Sequence, residues 1–235
     1  MGYFVDGNWV VDEDGKLCFF KDKNTTGIIT NTLMINSSVS EFRFKFKIDK
    51  TELPEKTKLY KRRTTAEALV FLFGNRHYDV NTFSPSSTVM DAMGIGLVFI
   101  RPTGKEKQLV YLKEYHTSSN LVNLQGAYKD KYYKKYSCEI EYMNKDIDLK
   151  ANFDFNENLA NFYINNELCF SYVINRNVFI EEKISYSFFG YAQAKDPIKI
   201  AFDEISVKKM MARGVKKQKD NFHSSPQNVI DVFYL

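Results

Sequence analysis

Residues 41–48 read Glu-Phe-Arg-Phe-Lys-Phe-Lys-Ile, and this strict two-residue alternation restricts the fold more than any other feature of the chain. Successive side chains of a strand point to opposite faces, so Phe42, Phe44, Phe46 and Ile48 share one face and Glu41, Arg43, Lys45 and Lys47 the other. Wound into a helix, the same residues would scatter around its circumference. The stretch is therefore a strand with one side in a core and the other in water. The pattern returns at 147–155, where Ile147, Leu149, Ala151, Phe153 and Phe155 alternate with Asp148, Lys150, Asn152 and Asp154.

Asn165-Asn166 lies between two further alternating runs in 159–173. Asparagine tolerates the positive φ of a tight turn, which predicts a hairpin with Leu168 and Phe170 packing near the core phenylalanines. Ala68–Phe73 and Ile95–Ile100 are apolar on both faces, as expected of strands central to their sheets. Shorter strands are predicted at 8–11, 16–20, 27–35, 108–115, 137–143, 184–193 and 198–207. No long amphipathic helix precedes residue 208, so the expectation is two antiparallel sheets packed face to face. Three connections, 49–66, 75–91 and 116–136, exceed hairpin length and are candidate recognition loops.

The 20 Phe and 15 Tyr of the 235 residues supply ample apolar surface for a core built without disulfides or metals. The 33 basic and 29 acidic residues nearly balance, which argues against a dedicated nucleic-acid binder. Cys18, Cys138 and Cys169 are odd in number, widely spaced and set in strand-like stretches, so they read as buried thiols. With no apolar leader or spanning run at the amino terminus, a cytoplasmic protein without a membrane span is expected.

Several stretches together resemble the concanavalin A-like lectin and glucanase superfamily. They are Gly7-Asn8-Trp9 through Gly15-Lys16-Leu17, Gly27–Thr30, Phe42–Ile48, Ala68–Gly74, Met93–Leu97, the Asn165-Asn166 hairpin, Phe189-Gly190-Tyr191-Ala192 and Phe202–Val207. The resemblance covers roughly residues 7–209 and implies a jelly-roll sandwich. The domain is expected over 1–207, with a basic tail over 208–235 that ends in an apolar docking segment.

In lectins of that superfamily, calcium beside the sugar is held by an Asp near the end of a central strand, and calcium needs about six to eight oxygen ligands. Here the comparable strand continues Phe99-Ile100-Arg101-Pro102-Thr103-Gly104-Lys105, with a cation where acid is required. The superfamily's glucanases use Glu-x-Asp-x-x-Glu; the nearest match, Glu139-Ile140-Glu141-Tyr142-Met143-Asn144, lacks the third carboxylate. Its two glutamates alternate with Cys138, Ile140 and Tyr142 and read as a solvated outer face. Asp12–Gly15 reads as a turn, Asp146-Ile147-Asp148 as a strand entry, and Gly94-Ile95-Gly96 as tight strand packing. His77, His116 and His223 have no metal-ligand spacing. No cofactor, metal or catalytic residue is expected.

What remains is surface. Lys61, Arg62 and Arg63 lie in the first long loop and Lys131, Tyr132 and Tyr133 in the third, a mixture suited to an acidic partner. Ser225-Pro226 can start a short helix placing Val229, Ile230 and Phe233 on one apolar face. These residues suggest a non-catalytic interaction module that docks protein partners within a larger intracellular assembly. The alternative is a metal-independent carbohydrate-binding domain using Trp9, Tyr78 and Tyr128; a divergent glycosidase using Glu139 and Glu141 ranks below both.

Overall fold

The structure is a computed structural model that describes residues 3–6, 9–20, 26–31, 35–50, 65–74, 89–90, 94–102, 108–115, 119–120, 137–179, 182–192, 198–210 and 232–234. In chain order the strands are β1 (Tyr3–Asp6), β2 (Trp9–Val11), β3 (Leu17–Phe20), β4 (Thr26–Asn31), β5 (Ile35–Asn36) and β6 (Val39–Lys50). There follow β7 (Thr65–Gly74), β8 (Val89–Met90), β9 (Gly94–Pro102), β10 (Leu109–Tyr115), β11 (Ser119–Asn120) and β12 (Ser137–Glu139). The last six are β13 (Asp146–Asp154), β14 (Leu159–Ile164), β15 (Glu167–Val173), β16 (Lys183–Ala192), β17 (Ile198–Met210) and β18 (Val232–Tyr234).

Two antiparallel sheets make a jelly-roll sandwich, and no helix occurs among the described residues. The first sheet runs β1-β4-β16-β7-β9-β10-β12, with β5 against β16; the second runs β15-β14-β13-β6-β17-β3-β2, with β18 against β17. As their two-sided apolarity requires, β7 and β9 sit in the middle of the first sheet.

The alternating faces meet between the sheets. Phe42, Phe44, Phe46, Phe153 and Phe155 are all essentially inaccessible. Ring centroids of Phe44 and Phe71 lie 4.9 Å apart, Phe42 and Phe73 5.4 Å, Phe46 and Phe99 5.4 Å, and Phe73 and Phe153 5.4 Å. These tilted and edge-to-face pairs join one sheet to the other and add to the area they bury. On the outer side of β6, the predicted polar residues form ion pairs: Arg43 with Asp148 and Lys45 with Glu204.

The turns follow the local chemistry. Asn165 and Asn166 have φ of 51° and 68° and close the β14–β15 hairpin in two residues. Asp12 closes the β2–β3 turn by accepting from the Lys16 amide at 2.8 Å, while Gly15 takes φ of 77°. Gly94 pairs with Gly74 across β7 and β9, and a Cβ on Gly94 would lie 2.0 Å from the Phe73 carbonyl oxygen. Tight strand packing is thus the role of that glycine.

Among the described residues, three register shifts interrupt the ladders, one on β7 between Thr65 and Ala68 and two β-bulges that break the alternation of the second sheet. Between β6 and β17, Phe202 faces Phe46 and Glu204 faces Lys45, so Asp203 is the extra residue; its carboxylate meets Lys16 at 2.5 Å. Between β14 and β15, Phe162 faces Phe170 and Tyr163 faces Leu168, leaving Cys169 extra. This second bulge corrects the expectation for Leu168. Phe170 is buried, but the slipped phase turns Leu168 outward, where it is 56% exposed, and Cys169 packs against the core instead.

The chain's end also differs from expectation. β17 runs on to Met210, past the expected boundary at 207, and β18 pairs with it through Ser206–Tyr234, Val207–Phe233 and Lys208–Val232. Phe233 is in extended backbone rather than a helical turn. The free N–H and C=O groups of β17 beyond β3 favour a strand there. Val229 and Ile230 lie outside the described residues.

Candidate functional site

The strand whose end the resemblance marks for a ligand is β9. Its inward residues Ile95, Leu97 and Phe99 belong to the core between the sheets, while Gly96 and Val98 are on the outer side of the first sheet. Register completes this outer face: Val70, Val98 and Tyr111 stand in one row, and Leu72, Gly96 and Lys113 in the next. Gly96 has no side chain, so Leu72 and Lys113 alone contribute side chains to the second row.

Although this face points away from the inter-sheet core, Leu72, Val98 and Tyr111 are buried, and Lys113 is half-buried. Burial alone pushes the Lys113 ammonium down to about 8, well below the usual lysine value. Groups whose titration is shifted in this way concentrate at sites with work to do. The face combines an apolar floor, an aromatic ring and one amine, the kinds of group small-ligand recognition uses, and of these only Lys113 reaches solvent. The signal was present in Leu109-Val110-Tyr111-Leu112-Lys113, where two-residue alternation sets Tyr111 and Lys113 against Val110 and Leu112.

β9 ends in Arg101-Pro102. Among the described residues, no three or more His, Cys, Asp or Glu side chains come together in a way that would hold a metal ion. His77, His116 and His223 lie outside those residues.

The glutamate pair of the glycosidase reading does not make acid–base machinery. Glu139 and Glu141 are both exposed, and Lys145 grips Glu141 at 2.6 Å, holding its carboxyl below the usual glutamate range. A general acid for glycoside cleavage needs the opposite shift.

Of the residues proposed to stack on sugar, Trp9 is in β2, an edge strand of the second sheet, opposite Phe19. It is thus on the other sheet from Tyr111 and Lys113. Tyr78 and Tyr128 lie outside the described residues, in the connections that follow β7 and precede β12 in sequence. Lys61, Arg62, Arg63, Lys131, Tyr132 and Tyr133 lie outside them as well.

Solved structures similar to this one include carbohydrate-binding and lectin-like domains. The carbohydrate recognition domain of Emp46p in its potassium-bound form is 14% identical, with a TM-score of 0.61 over 85% of this chain and 87% of that one. A legume lectin-like domain from Entamoeba histolytica is 11% identical, with a TM-score of 0.60 over 89% and 90%. The exoplasmic/lumenal domain of VIP36, bound to Ca2+ and Man3GlcNAc, is 10% identical, with a TM-score of 0.60 over 92% and 87%. The chain has the concanavalin A-like lectin fold. No family model and no curated protein matches the sequence.

These likenesses correct the expected location. The similar VIP36 domain is exoplasmic or lumenal, which overturns the expected cytoplasmic placement. No described helix is long and apolar enough to cross a membrane.

Proposed function

We propose that this chain is a non-enzymatic, lectin-like domain of the lumenal, secretory side of the cell that binds glycans without calcium. The observation that carries the reading is the likeness, over more than four-fifths of the chain, to carbohydrate-recognition domains. Arg101 at the end of β9 supports the metal-independent form, because a guanidinium repels the cation that an acidic ligand set would attract. The same likeness favours glycan recognition over the assembly-module reading.

The ligand is assigned to the Lys113 end of the outer face of β7, β9 and β10, the part that reaches solvent, with the amine donating to sugar hydroxyls. Tyr78 and Tyr128, in connections leading from and to that sheet, are the aromatic residues assigned to cover the ring. Trp9 plays no part in this arrangement. The test is a glycan array followed by titration of a mannose-containing oligosaccharide, with and without EDTA. Binding that survives EDTA and weakens at least tenfold in Tyr78→Ala or Tyr128→Ala, with an unchanged melting curve, supports the reading. A folded chain that binds no glycan overturns it, and loss of binding in EDTA overturns its metal-independent form.

A further inference from the structure

Cys138 and Cys169 belong to different sheets. Cys138 is in β12, the last strand of the first sheet, opposite Val110; Cys169 is in β15, the last strand of the second. The β14–β15 bulge makes Cys169 the unpaired residue and turns it toward the core, where both cysteines pack against the same apolar cluster. A neighbouring contact fixes how these edges face each other: the Tyr172 hydroxyl of β15 donates to the Glu114 carboxylate of β10 at 2.5 Å. The two thiols are near enough across these edges to shift each other's titration, and the Cys169 sulfhydryl donates to the Glu167 carbonyl at 3.6 Å. Without the bulge, two-residue alternation would carry Cys169 to the outer face.

We propose that Cys138 and Cys169 are a redox-active pair that closes into a disulfide, stapling the free edge of one sheet to that of the other. The oxidant is a small-molecule disulfide such as oxidised glutathione. The Cys169 thiolate attacks one of its sulfurs, breaking that S–S bond and releasing one glutathione thiolate. The Cys138 thiolate then attacks Cys169 in the mixed disulfide and releases the second. Two electrons pass to the oxidant, and the two cysteine protons end on the two glutathione thiols. Interaction between the two thiols lowers Cys169, making it the first nucleophile, and raises Cys138. Cys18 takes no part: it is fully buried, and burial together with its bond to Asp12 pushes its thiol up to about 11.

The staple closes a loop of about 30 residues and ties down the strand bordering Tyr111 on β10. It rests on the cross-sheet geometry and stands whether or not the chain binds glycan. To test it, the full chain is equilibrated with oxidised and reduced glutathione, acid-quenched, alkylated, digested and mapped by mass spectrometry. The expected product is a monomer lighter by two hydrogens, with Cys138 and Cys169 in one cross-linked peptide pair. The oxidised form should melt roughly 5–15 °C higher than the reduced one. Cys18→Ser should behave identically, whereas Cys138→Ser should retain one glutathionyl group at Cys169. If either thiol variant fails to fold, mapping of wild type and Cys18→Ser still decides. Separate glutathionylation of both cysteines, persistent alkylation of both, or a cross-link to Cys18 or between chains would overturn the proposal.

Discussion

Arg43 of β6 holds Asp148 of β13 with two prongs, Nε to Oδ1 at 2.9 Å and a terminal nitrogen to Oδ2 at 2.5 Å. This bidentate contact locks the register in which Phe44 faces Leu149 and Phe42 faces Ala151 on the buried side. Hydrogen bonding from Arg43 holds the Asp148 carboxyl below its usual range. A depressed folded pKa contributes stability above the unfolded value near 4, and that stability is lost as pH falls through the folded value. Asp148→Asn is expected to lower unfolding free energy by about 1–2 kcal/mol at pH 7. The deficit should shrink toward zero as pH falls from about 4 through the folded value, in urea titrations followed by circular dichroism.

Phe44→Ala and Phe153→Ala should each cost about 3–5 kcal/mol, because each empties a site with no exposed surface among rings from both sheets. Leu168→Ala should fall within about 0.5 kcal/mol of wild type, since the bulge leaves that side chain mostly in water. Chemical denaturation of the three variants compares them directly. A costly Leu168→Ala would place the slip in register elsewhere.

Gly94→Ala forces a methyl group into the Phe73 carbonyl, a backbone atom that cannot swing away. A loss of about 3 kcal/mol or more is expected. Gly15→Ala meets no neighbouring atom, but its φ of 77° is left-handed, so about 1–2 kcal/mol is expected from strain alone. Melting temperatures should rank wild type, then Gly15→Ala, then Gly94→Ala.

Lys113→Met should stabilise the chain while weakening the proposed glycan binding. Below about pH 8 the wild type carries a half-buried ammonium that the unfolded chain keeps in water, so the substitution should gain about 1–3 kcal/mol there. Between about pH 8 and 10 the folded lysine is already neutral while the unfolded one still holds its proton, so wild-type stability from this group rises with pH. The advantage of Met should accordingly fade across that window. Calorimetry at pH 7 and pH 10 checks the sign.

Removing residues 229–235 should lower the melting temperature and increase association at high concentration. It strips β18 from Ser206–Lys208 and leaves that stretch of β17 an open edge. An unchanged melting curve would instead assign the tail to docking on another protein.

The strands that alternate, β6, β13 and β14, were legible residue by residue, because period two with one face buried admits only one register. The Asn165-Asn166 turn and the glycine packing at Gly94 were legible for an equally local reason. The candidate face was half legible. Alternation in 109–113 separates Tyr111 and Lys113 from Val110 and Leu112, but only the pairing of β10 with β9 sets Lys113 beside Gly96.

Taken alone, the sequence determined an all-β sandwich, its aromatic core and its charged outer strand face, since those depend on φ, ψ and side-chain period within a few residues. Tertiary structure decided the rest. The bulges at Asp203 and Cys169 shift phase in response to a partner strand, and so reverse which neighbours face inward. The same folding brings Cys138 to Cys169 and pairs the last strand with β17, meetings between residues far apart in the chain. No local propensity encodes such contacts, because they exist only once two sheets have chosen their order and packed.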